Sequence, residues 1–118
     1  MKIERELMRG AGPIAVMQLL SSSEMYGYEI VERLAIESSG VFELGQSTLY
    51  PMLYNLEAKG LVRSREQRAE NGRNRRYYRL TVKGNRKLEA DRKQWSTLVE
   101  GLSSIGVTRQ WDPLPNLS

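Results

Sequence analysis

The feature that most constrains this chain is the pair Asn71-Gly72, which separates two short strand-like segments in an otherwise helical pattern. Asn-Gly is the strongest short-range hairpin signal, because both residues tolerate the positive φ angles of a tight turn. The flanking segments, residues 61–67 and 75–80, each carry an apolar side, with Tyr78 and Leu80 expected to point inward. The sequence therefore predicts one small β-hairpin in a mainly α-helical chain.

Two helices are predicted in the first third of the chain. Apolar residues at helical spacing indicate a first helix whose firm part covers residues 13–20, with an extension toward Ile3 and Leu7. Pro13 fits the first turn of this helix, where its missing N–H has no intrahelical partner. The second helix covers residues 26–38 and ends at the Ser-Ser-Gly sequence of residues 38–40.

Two further helices lie on either side of the hairpin. The third is expected to begin near residues 46–47, because Pro51 must lie near its N-terminus, and to end before Gly60. Thr81 offers an N-cap for a long fourth helix that extends to about Ile105. Three helices, a hairpin and a further helix form the winged helix-turn-helix arrangement.

A heptad pattern runs along the fourth helix and calls for another helix to pack against it. Asp91 is the single polar member of the pattern. Its apolar members are Leu88, Trp95, Leu98, Leu102 and Ile105.

Basic residues are concentrated around the hairpin. Residues 59–93 contain 13 basic and 4 acidic side chains, a formal charge of +9, whereas the remainder of the chain carries −5. Nine of these 13 residues are arginine, whose planar guanidinium matches the oxygens of a phosphate. The concentration favours a polyanionic partner, and a solvated charged face is the alternative that charge alone leaves open.

The composition excludes several functions. Histidine and cysteine are absent, which excludes zinc sites with those ligands, disulfides and catalytic dyads that need histidine. No carboxylate pair lies in an apolar context, so neither an enzyme nor a metal or cofactor is expected. The longest uncharged run, residues 10–23, is too short to span a bilayer. The first nine residues lack the apolar core of a signal peptide, so we expect a cytoplasmic protein with no membrane partner.

Four motifs follow one another along the chain. They are Tyr26-Gly27-Tyr28-Glu29-Ile30, STLYPML at residues 47–53, LEAKGLV at residues 56–62 and NGRNRRYYRLT at residues 71–81. Together they resemble the PadR family of bacterial transcriptional regulators, and the chain is similar to the small subclass with a single C-terminal helix. The resemblance implies a homodimeric winged-helix repressor. Ser47 stands where the family pattern usually has glycine.

The predicted organisation has three parts. Residues 1–81 form a winged-helix DNA-binding domain, residues 82–105 a dimerisation helix and residues 106–118 an irregular tail. Some small PadR-like regulators are understood to bind planar hydrophobic molecules between paired tryptophans. By this resemblance Trp95 has two alternative roles, packing at the dimer interface or stacking on such an effector.

The third helix is expected to enter the major groove of double-stranded DNA while the wing contacts the adjacent backbone. The candidate DNA contacts are Tyr26, Tyr28, Gln46, Ser47, Thr48, Tyr50, Asn55, Arg73, Arg75 and Arg76. Ser47 and Thr48 have helix capping as an alternative role, and Tyr50 has packing near Pro51. Either Tyr26 or Tyr28 is a candidate to cap the hydrophobic core instead.

The expected function is sequence-specific regulation of transcription by a homodimeric repressor that a small molecule releases from a near-palindromic operator. Two alternatives remain open. One is a winged-helix protein–protein module whose basic face meets an acidic partner. The other is a ligand-binding dimer with secondary affinity for DNA.

Overall fold

The helices and strands follow the predicted order, with one additional strand. A computed structural model describes residues 2–108. In chain order the elements are α1 (Arg5–Leu20), β1 (Met25–Tyr26), α2 (Gly27–Glu37), α3 (Gln46–Ala58), β2 (Val62–Arg68), β3 (Asn74–Leu80) and α4 (Val82–Ser104). This is a winged helix-turn-helix fold, mainly helical with a small antiparallel sheet. Of the predicted irregular tail, residues 109–118 lie outside the described residues.

The first helix includes the N-terminal extension that the sequence predicts. α1 starts at Arg5, so Pro13 lies in the helix interior instead of its first turn. Proline at this position removes one backbone hydrogen bond, and burial of the helix side that includes Val16 and Met17 offsets the loss. Gly12 is buried on the same helix, and a Cβ atom there would lie 2.6 Å from Cε of Met52. The absence of a side chain at Gly12 thus leaves room for the end of the Met52 side chain, which reaches α1 from α3.

A short strand precedes the second helix, which the sequence does not predict. Met25 and Tyr26 pair antiparallel with Tyr78 and Tyr77, so that β3 is the central strand in the order β1-β3-β2. Because Tyr26 belongs to β1, α2 begins one residue later than expected, at Gly27. The predicted hairpin is therefore two strands of a three-stranded sheet.

The hairpin lies where the Asn-Gly pair predicts it, but its turn is wider. Pairing of β2 with β3 ends at Arg68 and Asn74, which leaves a five-residue connection. The Gly72 N–H donates to the Ala69 carbonyl at 2.9 Å, and the Ala69 N–H donates to the Arg73 carbonyl at 2.8 Å. Gly72 alone in this turn has positive φ, at +82°, which is typical of a type I turn followed by a bulge.

The ends of α3 and α4 carry the caps that the sequence predicts. Gly60 has φ +74° and donates to the Glu57 carbonyl at 2.9 Å, which ends α3 in the manner of a C′ glycine. Thr81 Oγ1 accepts a hydrogen bond from the Gly84 N–H at 2.9 Å and so caps α4. In the part of the chain that the model describes, no helix is both long and apolar enough to cross a membrane.

A single hydrophobic core joins all the helices and the inner face of the sheet. Tyr78 points inward as predicted, and burial raises the pKa of its phenol. The buried members of the core are Val16, Met17, Leu19, Leu20, Met25, Ile30, Leu34, Leu44, Leu49, Leu53, Leu56, Leu61, Val62, Tyr78 and Leu88.

A substitution at Gly84 tests how closely α4 approaches the start of β2. A Cβ atom at Gly84 would overlap the Leu61 carbonyl oxygen, which is backbone and cannot rotate away. We expect Gly84→Ala to lower the free energy of unfolding by about 1–3 kcal/mol, as overpacking does. Gly101→Ala is the matched control, because open space surrounds Gly101 in the same helix and alanine there should stabilise by about 0.5–1 kcal/mol. Chemical denaturation measures both changes, and equal effects would contradict the close approach.

Candidate nucleic-acid interface

α3 presents an apolar side to the core and a polar side to solvent. Leu49, Leu53 and Leu56 are buried at helical spacing. The α3 candidates for DNA contact are all exposed: Gln46, Ser47, Thr48, Tyr50 and Asn55. Polar side chains of α3 are therefore available to a partner.

Gly45 caps α3, so the alternative role of Ser47 and Thr48 as N-caps is wrong. The backbone N–H groups of Thr48 and Leu49 donate to the Gly45 carbonyl at 3.1 and 3.0 Å. Ser47 and Thr48 lie within the first helical turn, with their side chains exposed. Their hydroxyl groups are thus on the surface of α3.

Tyr50 packs against the N-terminus of α2. A Cβ atom at Gly27, the first residue of α2, would lie 2.5 Å from the Tyr50 hydroxyl oxygen and 2.9 Å from Cζ. Glycine at this position therefore makes room for the tyrosine ring. The ring stays 44% exposed, so packing and a surface contact are compatible for this side chain.

The two tyrosines at the start of α2 have different surroundings, and neither belongs to the buried core. Tyr28 is exposed. The Tyr26 ring lies under the guanidinium of Arg75, whose Cζ is 4.4 Å from the ring centroid. The Tyr26 N–H donates to Oε1 of Glu29 at 3.2 Å. Tyr26 thus connects the wing, defined as residues 62–80, to the beginning of α2.

The three candidate arginines of the wing do not share one face. Side chains alternate along a strand, so Arg75 and Arg76 lie on opposite faces of β3. Arg75 covers Tyr26, whereas Arg76 Nη2 is 3.1 Å from Oε1 of Glu66. Arg73 is exposed within the turn, where its N–H donates to Oδ1 of Asn71 at 3.0 Å. Positive charge is therefore present on both sides of the wing tip.

A hydrogen-bonded chain fixes the wing relative to α3. The Ser64 N–H and hydroxyl both donate to Oε2 of Glu57, at 3.0 and 2.6 Å. Arg76 Nη1 in turn donates to the Ser64 hydroxyl at 3.1 Å. Since Glu57 lies on α3, Ser64 on β2 and Arg76 on β3, the chain holds the helix and both strands of the wing together.

The N-terminus of α2, Tyr50 and the wing tip enclose an open groove of about 480 Å³, which we call the Tyr–Arg groove. It brings six of the predicted DNA contacts together. They are Tyr26, Tyr28, Tyr50, Arg73, Arg75 and Arg76. The remaining candidates Gln46, Ser47, Thr48 and Asn55 lie outside this groove along α3.

Three polar residues of this surface were not predicted as contacts. Asn71 and Asn74 line the Tyr–Arg groove from the wing. Tyr54 is 74% exposed on α3, one turn after Tyr50. The i, i+4 spacing of Tyr50 and Tyr54 places them on one helix face and is the signal from which Tyr54 could be found.

The heptad residues of α4 are divided between the core and the surface. Leu88 is buried in the core of its own chain, where α4 packs against α1, so it is not on a free surface. Trp95 and Leu102 are half-buried. Leu98 is 52% and Ile105 78% exposed. The apolar seam of α4 is thus uncovered only in the second half of the helix.

The fold and this surface place the chain among winged-helix proteins with a basic wing. Residues 16–90 match the family model described as the transcriptional regulator PadR-like family. The chain therefore belongs to the PadR-like family of transcriptional regulators, as its motifs predict.

Relatives and solved structures agree with this membership. Transcriptional regulator Rv3488 of Mycobacterium tuberculosis is 36% identical over 89 residues, which cover 75% of this chain and 79% of that protein. A transcriptional regulator from Clostridium thermocellum matches with a TM-score of 0.78 and 26% identity, over 90% of this chain and 99% of that one. A PadR family transcriptional regulator from Eggerthella lenta matches with a TM-score of 0.71 and 35% identity, over 88% of each chain.

A double-mutant cycle tests the contact between Gly27 and Tyr50. Gly27 does not have positive φ, so alanine fits the backbone and its cost arises from displacing the Tyr50 ring. We expect Gly27→Ala to destabilise the native chain but to be neutral or stabilising in a Tyr50→Ala background, with a coupling free energy of about 1 kcal/mol. Chemical denaturation of the four proteins gives this coupling. Additive effects would show that the two residues do not touch.

Proposed function

We propose that this chain is a homodimeric repressor that binds double-stranded DNA. The observation that carries the proposal is the position of the Tyr–Arg groove beside the polar side of α3. A protein that reads a duplex needs polar side chains for base edges next to cationic groups for phosphates, and this surface supplies both. The hydrogen bonds between Glu57 and Ser64 support the proposal, because they fix the angle between α3 and the wing.

The proposed contacts divide into two kinds. Gln46, Ser47 and Asn55 face the major groove from α3, and asparagine pairs well with the edge of adenine. Tyr28, Tyr50 and Arg73, with Thr48, Tyr26, Arg75 and Arg76, lie where the sugar–phosphate backbone would pass. In this division the first kind selects the sequence and the second positions the protein on it.

The proposed dimer forms through α4. This helix has 23 residues, and the described part of the chain is elongated, with extents of 62 × 28 × 24 Å. Pairing two copies of α4 would remove Leu98, Ile105 and the neighbouring Val99 from water, which is favourable in proportion to the apolar area. A two-fold dimer then predicts a near-palindromic operator with half-sites about one helical turn apart or a small multiple of it.

The proposed release of the repressor uses a planar hydrophobic effector. Trp95 lies on the seam of α4, half-buried within one chain, and pairing of the helices would bring two copies of its indole near each other. A flat ligand between them would gain stacking area without a new polar contact. In this proposal residues 1–81 bind DNA, and residues 82–105 join the subunits and sense the ligand.

Selection of bound sites from random duplex DNA, followed by fluorescence anisotropy in a salt series, tests the DNA-binding role. The wild-type protein should enrich one near-palindromic site, and its affinity should fall steeply with salt. Arg73→Gln should lower the affinity for all duplexes by the same factor and reduce the slope of the salt dependence by about 1 per subunit. Asn55→Ala should instead change the preferred base at one position of each half-site. The lost discrimination between bases at that position should be about 1–3 kcal/mol. No enriched site would favour the protein–protein module.

Leu98→Glu tests the dimer, because it places a charge in the proposed interface. We expect sedimentation to show a dimer for the wild type and a monomer for this variant, with weaker binding of the full operator. Val82→Glu adds the same charge at an exposed apolar position at the start of α4 and should remain dimeric. A dimeric Leu98→Glu variant would exclude this part of α4 as the interface.

Fluorescence of Trp95 tests the effector site. The chain has two tryptophans, so the measurement uses a Trp111→Phe background; Trp111 lies outside the described residues. Planar hydrophobic compounds should quench the emission of Trp95 and lower the affinity for the selected operator. An unchanged spectrum across a broad panel of such compounds would assign Trp95 to dimer packing alone.

A further inference from the structure

The two faces of the sheet differ in composition. The inner face packs on the helices through residues that include Met25, Val62 and Tyr78. Strand register and alternation place another set on the opposite face, which we call the outer sheet face. Its residues are Tyr26, Arg63, Arg65, Gln67, Arg75, Tyr77 and Arg79.

Two arginines of this face are held in place by aromatic rings. Arg75 lies over Tyr26, and Cζ of Arg65 is 5.2 Å from the ring centroid of Tyr77. The two rings meet edge to face, with centroids 5.6 Å apart and an interplanar angle of 69°. These contacts therefore preorganise the two guanidinium groups within a row of side chains that crosses all three strands.

Glu24 is the acidic residue beside this row, and it forms an ion pair with Arg65. Nε of Arg65 donates to Oε2 of Glu24 at 2.9 Å. That hydrogen bond holds the pKa of the Glu24 carboxyl below its usual value, with a smaller Coulombic effect of Arg79. With four arginines and one carboxylate, the outer sheet face has a formal charge of +3.

Arg63 and Arg79 form an unfavourable pair in the chain alone. They are direct partners in the register of β2 and β3, and both are exposed. Like charges directly opposite each other on a sheet are destabilising, with Cβ atoms typically about 5 Å apart. Among the described residues neither guanidinium has a carboxylate within salt-bridge distance. An anion placed between them would turn this repulsion into attraction.

We infer that the outer sheet face binds the phosphate backbone of the duplex that flanks the operator half-site, so that the DNA bends toward the wing. The inference rests on the proposed function, in which the wing tip contacts the half-site. Arg63 and Arg79 lie five residues along the strands from the last pair before the turn, or about 17 Å at 3.3 Å per residue. That length corresponds to roughly five base pairs of additional duplex.

Charge and stacking favour duplex DNA as the occupant. The surface is continuous with the wing tip, and its cationic groups are distributed along the strands, as phosphates are along a backbone. A single strand would need free aromatic faces on which its bases stack. Arg75 and Arg65 already cover the rings of Tyr26 and Tyr77. The outer sheet face is therefore suited to phosphate and not to unpaired bases.

The test compares two duplexes, the selected operator alone and the same operator with ten additional base pairs on each side. The wild type should bind the extended duplex more tightly and with a steeper salt dependence. The Arg63→Gln/Arg79→Gln variant should lose this gain, with its salt slope on the extended duplex reduced by about 2 per subunit. Its affinity for the operator alone should stay unchanged. Energy transfer between dyes at the two ends of the extended duplex should show bending by the wild type only.

Arg86→Gln/Lys93→Gln is the control, because it removes two exposed positive charges from α4 that, like Arg63 and Arg79, have no carboxylate within salt-bridge distance among the described residues. It should keep the gain on the extended duplex. Both variants should unfold cooperatively, and loss of the Arg63–Arg79 repulsion should leave the Tm of the test variant at or above that of the wild type.

The possible results separate the two proposals. If the wild type selects a site but the test variant retains the gain and the bend, the outer sheet face does not bind flanking DNA, and the proposed function stands. The same conclusion follows if the control loses as much as the test variant. If the wild type selects no duplex site, the proposed function itself is wrong, and this inference fails with it.

Discussion

The backbone of Leu61 is the point on which the arrangement of the other elements depends. Its N–H donates to the Leu56 carbonyl at 2.9 Å and ends α3, while its carbonyl accepts from the Thr81 N–H at 3.1 Å at the end of β3. The Thr81 hydroxyl donates to the Gly60 carbonyl at 2.7 Å, lies 3.1 Å from the Leu61 carbonyl, and caps α4 by accepting from the Gly84 N–H. Because Gly84 has no side chain, α4 starts directly against this peptide. One residue thus joins α3, both long strands and α4.

This junction has a consequence for the proposed mechanism. α3 and the wing are joined at Leu61 and again through Glu57 and Ser64, so two separate sets of hydrogen bonds fix their relative position. α4 leaves the same junction as a long helix, and the exposed apolar residues Leu98 and Val99 lie in its second half. In a dimer held by α4, a change in the spacing of the two α4 helices would therefore displace both DNA-reading units. Release by an effector at Trp95 then requires no rearrangement within α3 or the wing.

Local sequence patterns predict most of the helices and strands of this fold. The features that they miss depend on contacts between residues distant in sequence. Gly60 and Thr81 mark helix ends because each supplies a local geometry or hydrogen bond that the neighbouring sequence needs. β1 has two residues, too few to show an alternating pattern, and only its pairing with β3 defines it. Pro13 lies inside α1 because packing outweighs its lost hydrogen bond. Leu88 follows the heptad, yet periodicity cannot distinguish α1 of the same chain from a partner helix.

The formal charge of residues 59–93 does not show which of its positive side chains are available to a polyanion. Arg65 forms an ion pair with Glu24. Arg76 forms an ion pair with Glu66 and a hydrogen bond with Ser64, so these two side chains help to position the strands. Arg75 lies over Tyr26 and has no carboxylate within salt-bridge distance among the described residues. An exposed ion pair stabilises by only about 0–1 kcal/mol, so a phosphate can replace the carboxylate, but the two opposite charges nearly cancel and attract a polyanion less than an unpaired arginine does. In the proposed complex, binding strength would therefore depend mainly on the arginines that lack such a partner. Their positions, at the wing tip and on the outer sheet face, would determine the path of the bound DNA.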